Sequence, residues 1–192
     1  MFRRMTRERY LSDAELDRFM AAVRERRHVH QPRDHALFAL LANTGMRPAE
    51  VRALTVGDCH LEGKAPWVRL NRVQRKHGPR QLPALVLQKD VAAVLARYIA
   101  TITADQSVTL FPFSKRQSAR LFHYYADRAG ITPRRKIYAL RHTVGMRLWR
   151  HARDVRLIQA ILGHTNLTAT SGYIHTDPDT IRGGYVAAGV VG

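Results

Sequence analysis

The segment Thr44-Gly45-Met46-Arg47-Pro48 constrains the fold of this chain more than any other. Gly45 can adopt the left-handed conformation that ends a helix, and Pro48 suits the first position of the next helix. We therefore predict a helix over 33–43, a short helix from Pro48 to about residue 54, and a tight turn between them. Arg47 then lies in a turn between two helices.

Further helix signals occur along most of the chain. The capping box Ser12-Asp13-Ala14-Glu15 should open a helix that runs to about residue 27. Alternation in Trp67-Val68-Arg69-Leu70-Asn71, between turn residues, is typical of a small antiparallel hairpin or meander. Helical spacing of apolar residues returns over 88–102, 114–129, 138–150 and 154–162. These patterns predict an α+β fold, with five or six helices around one small sheet.

The chain reads as one domain over residues 1–192. It has 45% hydrophobic residues, without an internal repeat or a Gly/Ser-rich or Pro-rich linker. A single cysteine, Cys59, excludes an internal disulfide framework and a cysteine-cluster zinc site. No stretch of consecutive apolar residues comes close to the length of a membrane helix, about 18 residues, and the N-terminus lacks the apolar stretch of a signal peptide. We therefore expect a soluble, cytoplasmic protein with no membrane partner.

The charge of the chain indicates a polyanionic partner. There are 32 Lys and Arg residues against 15 Asp and Glu, a formal net charge of +17. Every charged residue between Glu62 and Asp90, and again between Asp127 and Asp154, is basic. If the two blocks formed one positive face, its affinity for phosphates would fall steeply with salt. Charge alone does not separate DNA, RNA, a ribosome and an anionic membrane.

Three segments place groups suited to phosphate at special points of the predicted structure: residues 44–51, residues 138–143, and Leu162-Gly163-His164 followed nine residues later by Tyr173. In this order and at these separations they resemble the catalytic domain of the tyrosine recombinases, or phage integrases. The resemblance runs from about residue 11 to 175. It implies a mainly helical catalytic domain with a small antiparallel β-sheet, of the DNA breaking-rejoining enzyme type.

Metal-free cleavage of a phosphodiester needs fixed positive charge on the non-bridging oxygens, a nucleophile and an acid for the leaving group. Arginine suits the first task because its planar fork stays charged and can hold a phosphate bidentately. Arg47 and Arg141 are the candidates for this clamp. Glu50, three residues after Arg47, is expected to hold the Arg47 guanidinium in place.

The resemblance implies the remaining roles. His164 would donate a hydrogen bond to the scissile phosphate. Tyr173 would attack phosphorus, leaving a 3′-phosphotyrosyl link and a free 5′-hydroxyl. Lys76, in the expected hairpin turn, would protonate the leaving 5′-oxygen.

Tyr138 departs from the family pattern, which most often has histidine three residues before the second arginine. The i, i+3 spacing puts Tyr138 and Arg141 on one helical face, where a phenol can hydrogen-bond a phosphate oxygen or the nucleophile. A phenol is a poor general base near neutral pH. Either Tyr138 only positions groups, or His142 or water takes the proton from Tyr173; His142 itself points to another face and is expected to be structural.

The resemblance also implies the partners. These are double-stranded DNA and other copies of the chain, assembled as a tetramer on DNA. No glycine-rich phosphate loop is present, so no nucleotide and no cofactor are expected, and His28, His30 and His35 lack the further ligands of a metal site. The usual N-terminal core-binding domain is expected to be absent. Two other functions stay open: type IB topoisomerase-like relaxation of DNA, and DNA binding without catalysis by a protein that keeps the fold.

Overall fold

The computed structural model describes residues 7–70, 84–102 and 105–163. This part of the chain contains a three-stranded antiparallel sheet in the order β1-β2-β3, formed by Cys59–His60, Trp67–Val68 and Leu85–Val86. It also contains seven α-helices, α1 to α7: Asp13–Glu25, Gln31–Thr44, Pro48–Arg52, Lys89–Ala100, Lys115–Arg128, Tyr138–Ala152 and Val155–Leu162. The predicted mainly helical α+β fold with a small antiparallel sheet is confirmed. The described residues contain more helices than the five or six expected in total, but each overlaps one of the seven segments for which the sequence predicted a helix.

The predicted helix ends lie close to the observed ones. The Ser12 hydroxyl accepts from the Glu15 amide at 3.1 Å, and the Glu15 carboxylate accepts from the Ser12 amide at 2.7 Å, which confirms the capping box at the start of α1. Gly45 ends α2 with a φ of 63°, and Pro48 begins α3. Local signals of this kind fix helix ends because they satisfy backbone groups that the helix itself leaves unpaired.

The sheet is smaller than the alternation predicted. Cys59 pairs with Val68 and His60 with Trp67, while Trp67 also pairs with Val86 and Val68 with Leu85. The expected strand over 67–71 is two residues long in the structure, and Asn71 lies outside the described residues. Alternation predicts which face a side chain takes, whereas strand length depends on how far the neighbouring strands run alongside.

Helix α2 lies at the centre of the domain and packs against α1, α4 and α6. Its residues 36–41 are all buried, as expected for a helix surrounded by others. At the contact of α1, α2 and α5, Phe19 and Phe38 meet edge to face with ring centroids 5.0 Å apart. Tyr125 packs edge-on against Phe38, at 5.6 Å. This aromatic cluster holds α1, α2 and α5 together.

We predict that Phe38→Ala lowers the free energy of unfolding by about 3–5 kcal/mol, because it opens a cavity in a fully buried aromatic cluster. Val29→Ala is the matched control, since Val29 is 80% exposed and should change stability by less than about 0.5 kcal/mol. Urea unfolding followed by circular dichroism measures both. Equal stability of the two variants would contradict this assignment of the core.

Candidate active site

Arg47 lies in the turn between α2 and α3, as predicted. Its backbone amide donates to Glu50 Oε2 at 2.7 Å, and its Nη1 donates to Glu50 Oε1 at 3.0 Å. The Glu50 side chain is 1% exposed, so this ion pair is shielded on one side. The predicted support of the Arg47 guanidinium by Glu50 is present in the structure. The second terminal nitrogen, Nη2, donates to the Gly163 carbonyl at 3.2 Å.

Arg141 lies on α6 and is buried, with 4% of its surface exposed. Its Nη1 donates to the Gly45 carbonyl at 2.8 Å, and its Nη2 donates to the Leu162 carbonyl at 2.5 Å. A buried guanidinium needs such partners because an uncompensated charge away from water is costly. Both arginines therefore contact the carboxyl end of α7, and Arg141 also contacts Gly45 in the turn that holds Arg47.

Tyr138 is the first residue of α6, one helical turn before Arg141, and is 43% exposed. The next residue after Arg141, His142, is half-buried. Burial, with smaller effects of Arg9 and Arg141, lowers the pKa of His142 to about 4. His142 is therefore neutral at pH 7.

Three predicted site residues lie outside the described residues: Lys76, His164 and Tyr173. Helix α7 ends at Leu162, with Gly163 in the left-handed conformation. His164 is the next residue in the sequence. Arg47 and Arg141 thus contact the backbone carbonyls that directly precede the segment with His164 and Tyr173.

Part of the expected positive face is corrected by the structure. In the second basic block, Arg135 is 5% exposed and donates from Nη1 to Glu15 Oε1 at 2.9 Å. Arg147 and Arg150 both donate to Asp13, each at 2.9 Å, and hydrogen bonding from Arg150 leads the effects that lower the pKa of the Asp13 carboxyl. The block lacks acids in sequence, but α1 brings two of them to it in space.

The sequence reasoning missed the three backbone carbonyls of Gly45, Leu162 and Gly163 as partners of the arginines. Every residue has a carbonyl, so residue type carries no sign of this role. The one available signal was position, because each of the three belongs to a segment already singled out for its motif.

Comparison with solved structures defines the fold. The crystal structure of the XerH site-specific recombinase bound to difH substrate superposes with a TM-score of 0.77 at 19% identity, covering 94% of this chain and 55% of that chain. The catalytic domain of bacteriophage HP1 integrase superposes with a TM-score of 0.63 at 17% identity, covering 93% of this chain and 94% of that chain. The protein has the fold of a tyrosine recombinase catalytic domain.

The sequence places the chain within a family. A model of the phage integrase family matches residues 9–179, and the chain belongs to that family. Tyrosine recombinase XerC of Neisseria gonorrhoeae is 31% identical over 155 residues, which cover 78% of this chain and 49% of that protein. The chain thus spans about half the length of such relatives. Among the described helices, none has the length and apolar character needed to cross a membrane.

We predict that acid destabilises this domain through His142. The ordinary pKa of about 6.5 in the unfolded chain lies above the folded value, so the unfolded chain binds the proton first. The stability that His142 contributes is therefore present above pH 6.5 and is lost as the pH falls toward 4. Between pH 7 and 4.5, His142→Gln should lose less stability than the wild type, by on the order of 2 kcal/mol.

Urea unfolding at the two pH values measures this difference. His151→Gln is the control, because His151 is exposed at the end of α6 and should follow the wild type. The same pH dependence in His142→Gln and the wild type would contradict the prediction.

Proposed function

We propose that this chain is the catalytic domain of a site-specific tyrosine recombinase that cleaves and rejoins double-stranded DNA through a 3′-phosphotyrosyl intermediate. The observation that carries the proposal is the pairing of Arg47 and Arg141 at the carboxyl end of α7. One guanidinium from the α2–α3 turn and one from α6 reach this end of α7, next in sequence to His164 and within eleven residues of Tyr173. Membership of the phage integrase family supports the same conclusion.

In the proposed reaction, Arg47 and Arg141 hold the non-bridging oxygens of the scissile phosphate and stabilise the charge that develops on them. His164 donates a further hydrogen bond. The Tyr173 oxygen forms a bond to phosphorus while the bond from phosphorus to the 5′-oxygen breaks, and Lys76 gives that oxygen its proton. The phosphotyrosyl bond keeps the energy of the broken linkage, so resealing needs no nucleotide.

The proton of Tyr173 has two candidate acceptors, His142 and water, and Tyr138 is a candidate for positioning groups. His142 is neutral at pH 7, so its imidazole has the lone pair that a base needs, but it is half-buried. Tyr138 is 43% exposed at the start of α6, where its hydroxyl can hydrogen-bond a phosphate oxygen. We propose that Tyr138 positions the phosphate and that water takes the proton.

The proposed partners are double-stranded DNA and further copies of the chain, four of which complete an exchange between two duplexes. The solved XerH complexes hold the difH substrate of that protein in pre-cleavage and post-cleavage states, and the Tn1549 transposon integrase was solved in complex with transposon right end DNA. The full chain tests the proposal on a pool of nicked duplexes with randomised arms. The short fragment beyond the nick diffuses away after cleavage and traps protein on the 3′-phosphate, visible on a denaturing gel.

Trapped protein is the expected result, and its absence at protein concentrations that saturate DNA binding would favour a DNA-binding protein without catalysis. Products that join two different duplexes identify recombination. Relaxation of a supercoiled plasmid without such products would instead favour topoisomerase-like activity.

We predict that Tyr173→Phe abolishes the covalent adduct and leaves DNA affinity within about threefold, because phosphate contacts supply most of the binding. Tyr124→Phe is the matched control and should cleave normally, since Tyr124 is an exposed residue of α5. Gel assays of trapped adduct and of bound duplex measure the two quantities. An adduct formed by Tyr173→Phe would assign the nucleophile to another residue.

We predict that Arg47→Ala and Arg141→Lys each slow cleavage by about a hundredfold or more, the scale of removing one donor from a transition state. Lysine keeps the buried charge of Arg141 but not its planar fork. Arg52→Ala is the control, because Arg52 lies on the same short helix as Glu50 and donates to the Pro48 carbonyl at 3.1 Å. Single-turnover cleavage measures the rates. A near-normal rate in either site variant would mean that the arginine replaced in it does not hold the scissile phosphate.

A further inference from the structure

Gly45 contacts both parts of the candidate site. Its amide donates to the Leu41 carbonyl at 3.1 Å and closes α2, while its own carbonyl accepts from Arg141 Nη1 at 2.8 Å. The backbone reaches this arrangement with a φ of 63°, a region that glycine enters without steric cost. The direction of the Gly45 carbonyl, and hence one of the partners of Arg141, follows from that conformation.

The missing side chain of Gly45 matters as well. A Cβ at this position would lie 2.9 Å from Leu162 Cδ2 and 3.1 Å from Val144 Cβ and Cγ1. Leu162 is fully buried and is the last residue of α7, and its carbonyl accepts from Arg141 Nη2. An added carbon therefore pushes on the Leu162 side chain, which full burial leaves little room to turn, and on Val144 Cβ, which is fixed to the α6 backbone. We expect this push to shift the end of α7, α6, or both.

We propose that Gly45 is a positioning residue for phosphodiester cleavage, which sets Arg141 and the carboxyl end of α7 in one geometry through its carbonyl and its lack of a side chain. This inference rests on the proposed function, in which Arg141 binds the scissile phosphate. A displaced α7 end moves the Leu162 carbonyl away from Arg141 and the Gly163 carbonyl away from Arg47. Errors of about 1 Å in such groups can slow a reaction about a hundredfold.

The chain offers a matched control in Gly130. Gly130 has a φ of 62°, close to the 63° of Gly45, but a Cβ there would meet nothing within 4 Å. Substitution by alanine therefore brings the same kind of backbone strain at both positions, and only Gly45→Ala adds the collision with Leu162 and Val144. The difference between the two variants isolates the contact.

In single-turnover cleavage of the nicked duplex at saturating protein, Gly45→Ala should be slower than Gly130→Ala by about tenfold or more. Its DNA affinity should stay within about threefold of the wild type. Adding Leu162→Val, which removes the colliding Cδ2 atom, should recover at least about threefold of the lost rate. Equal rates for the two alanine variants, or no recovery, would overturn the proposal.

A second pair of variants and a measurement without DNA keep the proposal testable. If Gly45→Ala does not fold, Gly45→Asn with Gly130→Asn as its control carries the same Cβ and tolerates the left-handed region better. NMR of the arginine side-chain nitrogens reports Arg141 without any DNA. Its signals should shift in the Gly45 variants and not in the Gly130 variants.

The NMR result separates the two proposals. Shifted Arg141 signals together with a wild-type protein that forms no adduct would mean that Gly45 positions Arg141 but the proposed function fails. Adduct formation by the wild type with unchanged Arg141 signals in the Gly45 variants would mean that the function holds and the positioning role fails.

Discussion

The candidate site depends on the burial of the Arg141 guanidinium. A charge removed from water must be compensated, and here the compensation includes two backbone carbonyls, from Gly45 and Leu162. Because these carbonyls belong to the α2–α3 turn and to the end of α7, the buried cation joins both segments to α6. Arg47 makes a second connection to the same end of α7 through Gly163. Arg47 and Arg141 therefore also hold the α2–α3 turn, α6 and the end of α7 together.

Buried carboxylates play a similar part elsewhere in the domain. Asp34 is fully buried and accepts hydrogen bonds from Arg26, Arg33 and Tyr125, which ties the start of α2 to α5. Glu15, on α1, likewise accepts a hydrogen bond from the buried Arg135, which precedes α6. The chain has only 15 acidic residues against 32 basic ones, and four acids are buried in the described part: Glu15, Asp34, Glu50 and Asp58. Two basic residues, Arg135 and Arg141, are buried in the same part, so burial removes more acidic than basic residues from its surface. Such a surface suits a phosphate-rich partner.

Much of the fold was predictable because its signals are local. Helix ends follow from adjacent residues, because such residues pair with backbone groups that a helix leaves unpaired or stop the helix from continuing. The residues are Ser12 with Glu15 for α1, Gly45 and Pro48 for the end of α2 and the start of α3, and Gly163 for the end of α7. Strand lengths and the positive face were less predictable. The ladder around Trp67 depends on residues near 59 and 86, and the partners of Arg147 and Arg150 come from α1.

By itself, the sequence determined the order of the helices, the turn that holds Arg47 and the motifs that the phage integrase family shares. The motif in residues 138–143 also singled out Arg141. Only the tertiary structure decided which groups hold its guanidinium. Arg135 and Arg141 lie six residues apart and are almost equally buried, but Arg135 pairs with a carboxylate and Arg141 with carbonyls at the site. Glu15 lies 120 residues from Arg135, and Gly45 lies 96 residues from Arg141 along the chain. Partners so distant meet only when the helices pack, so no local pattern could have identified the partners of either arginine.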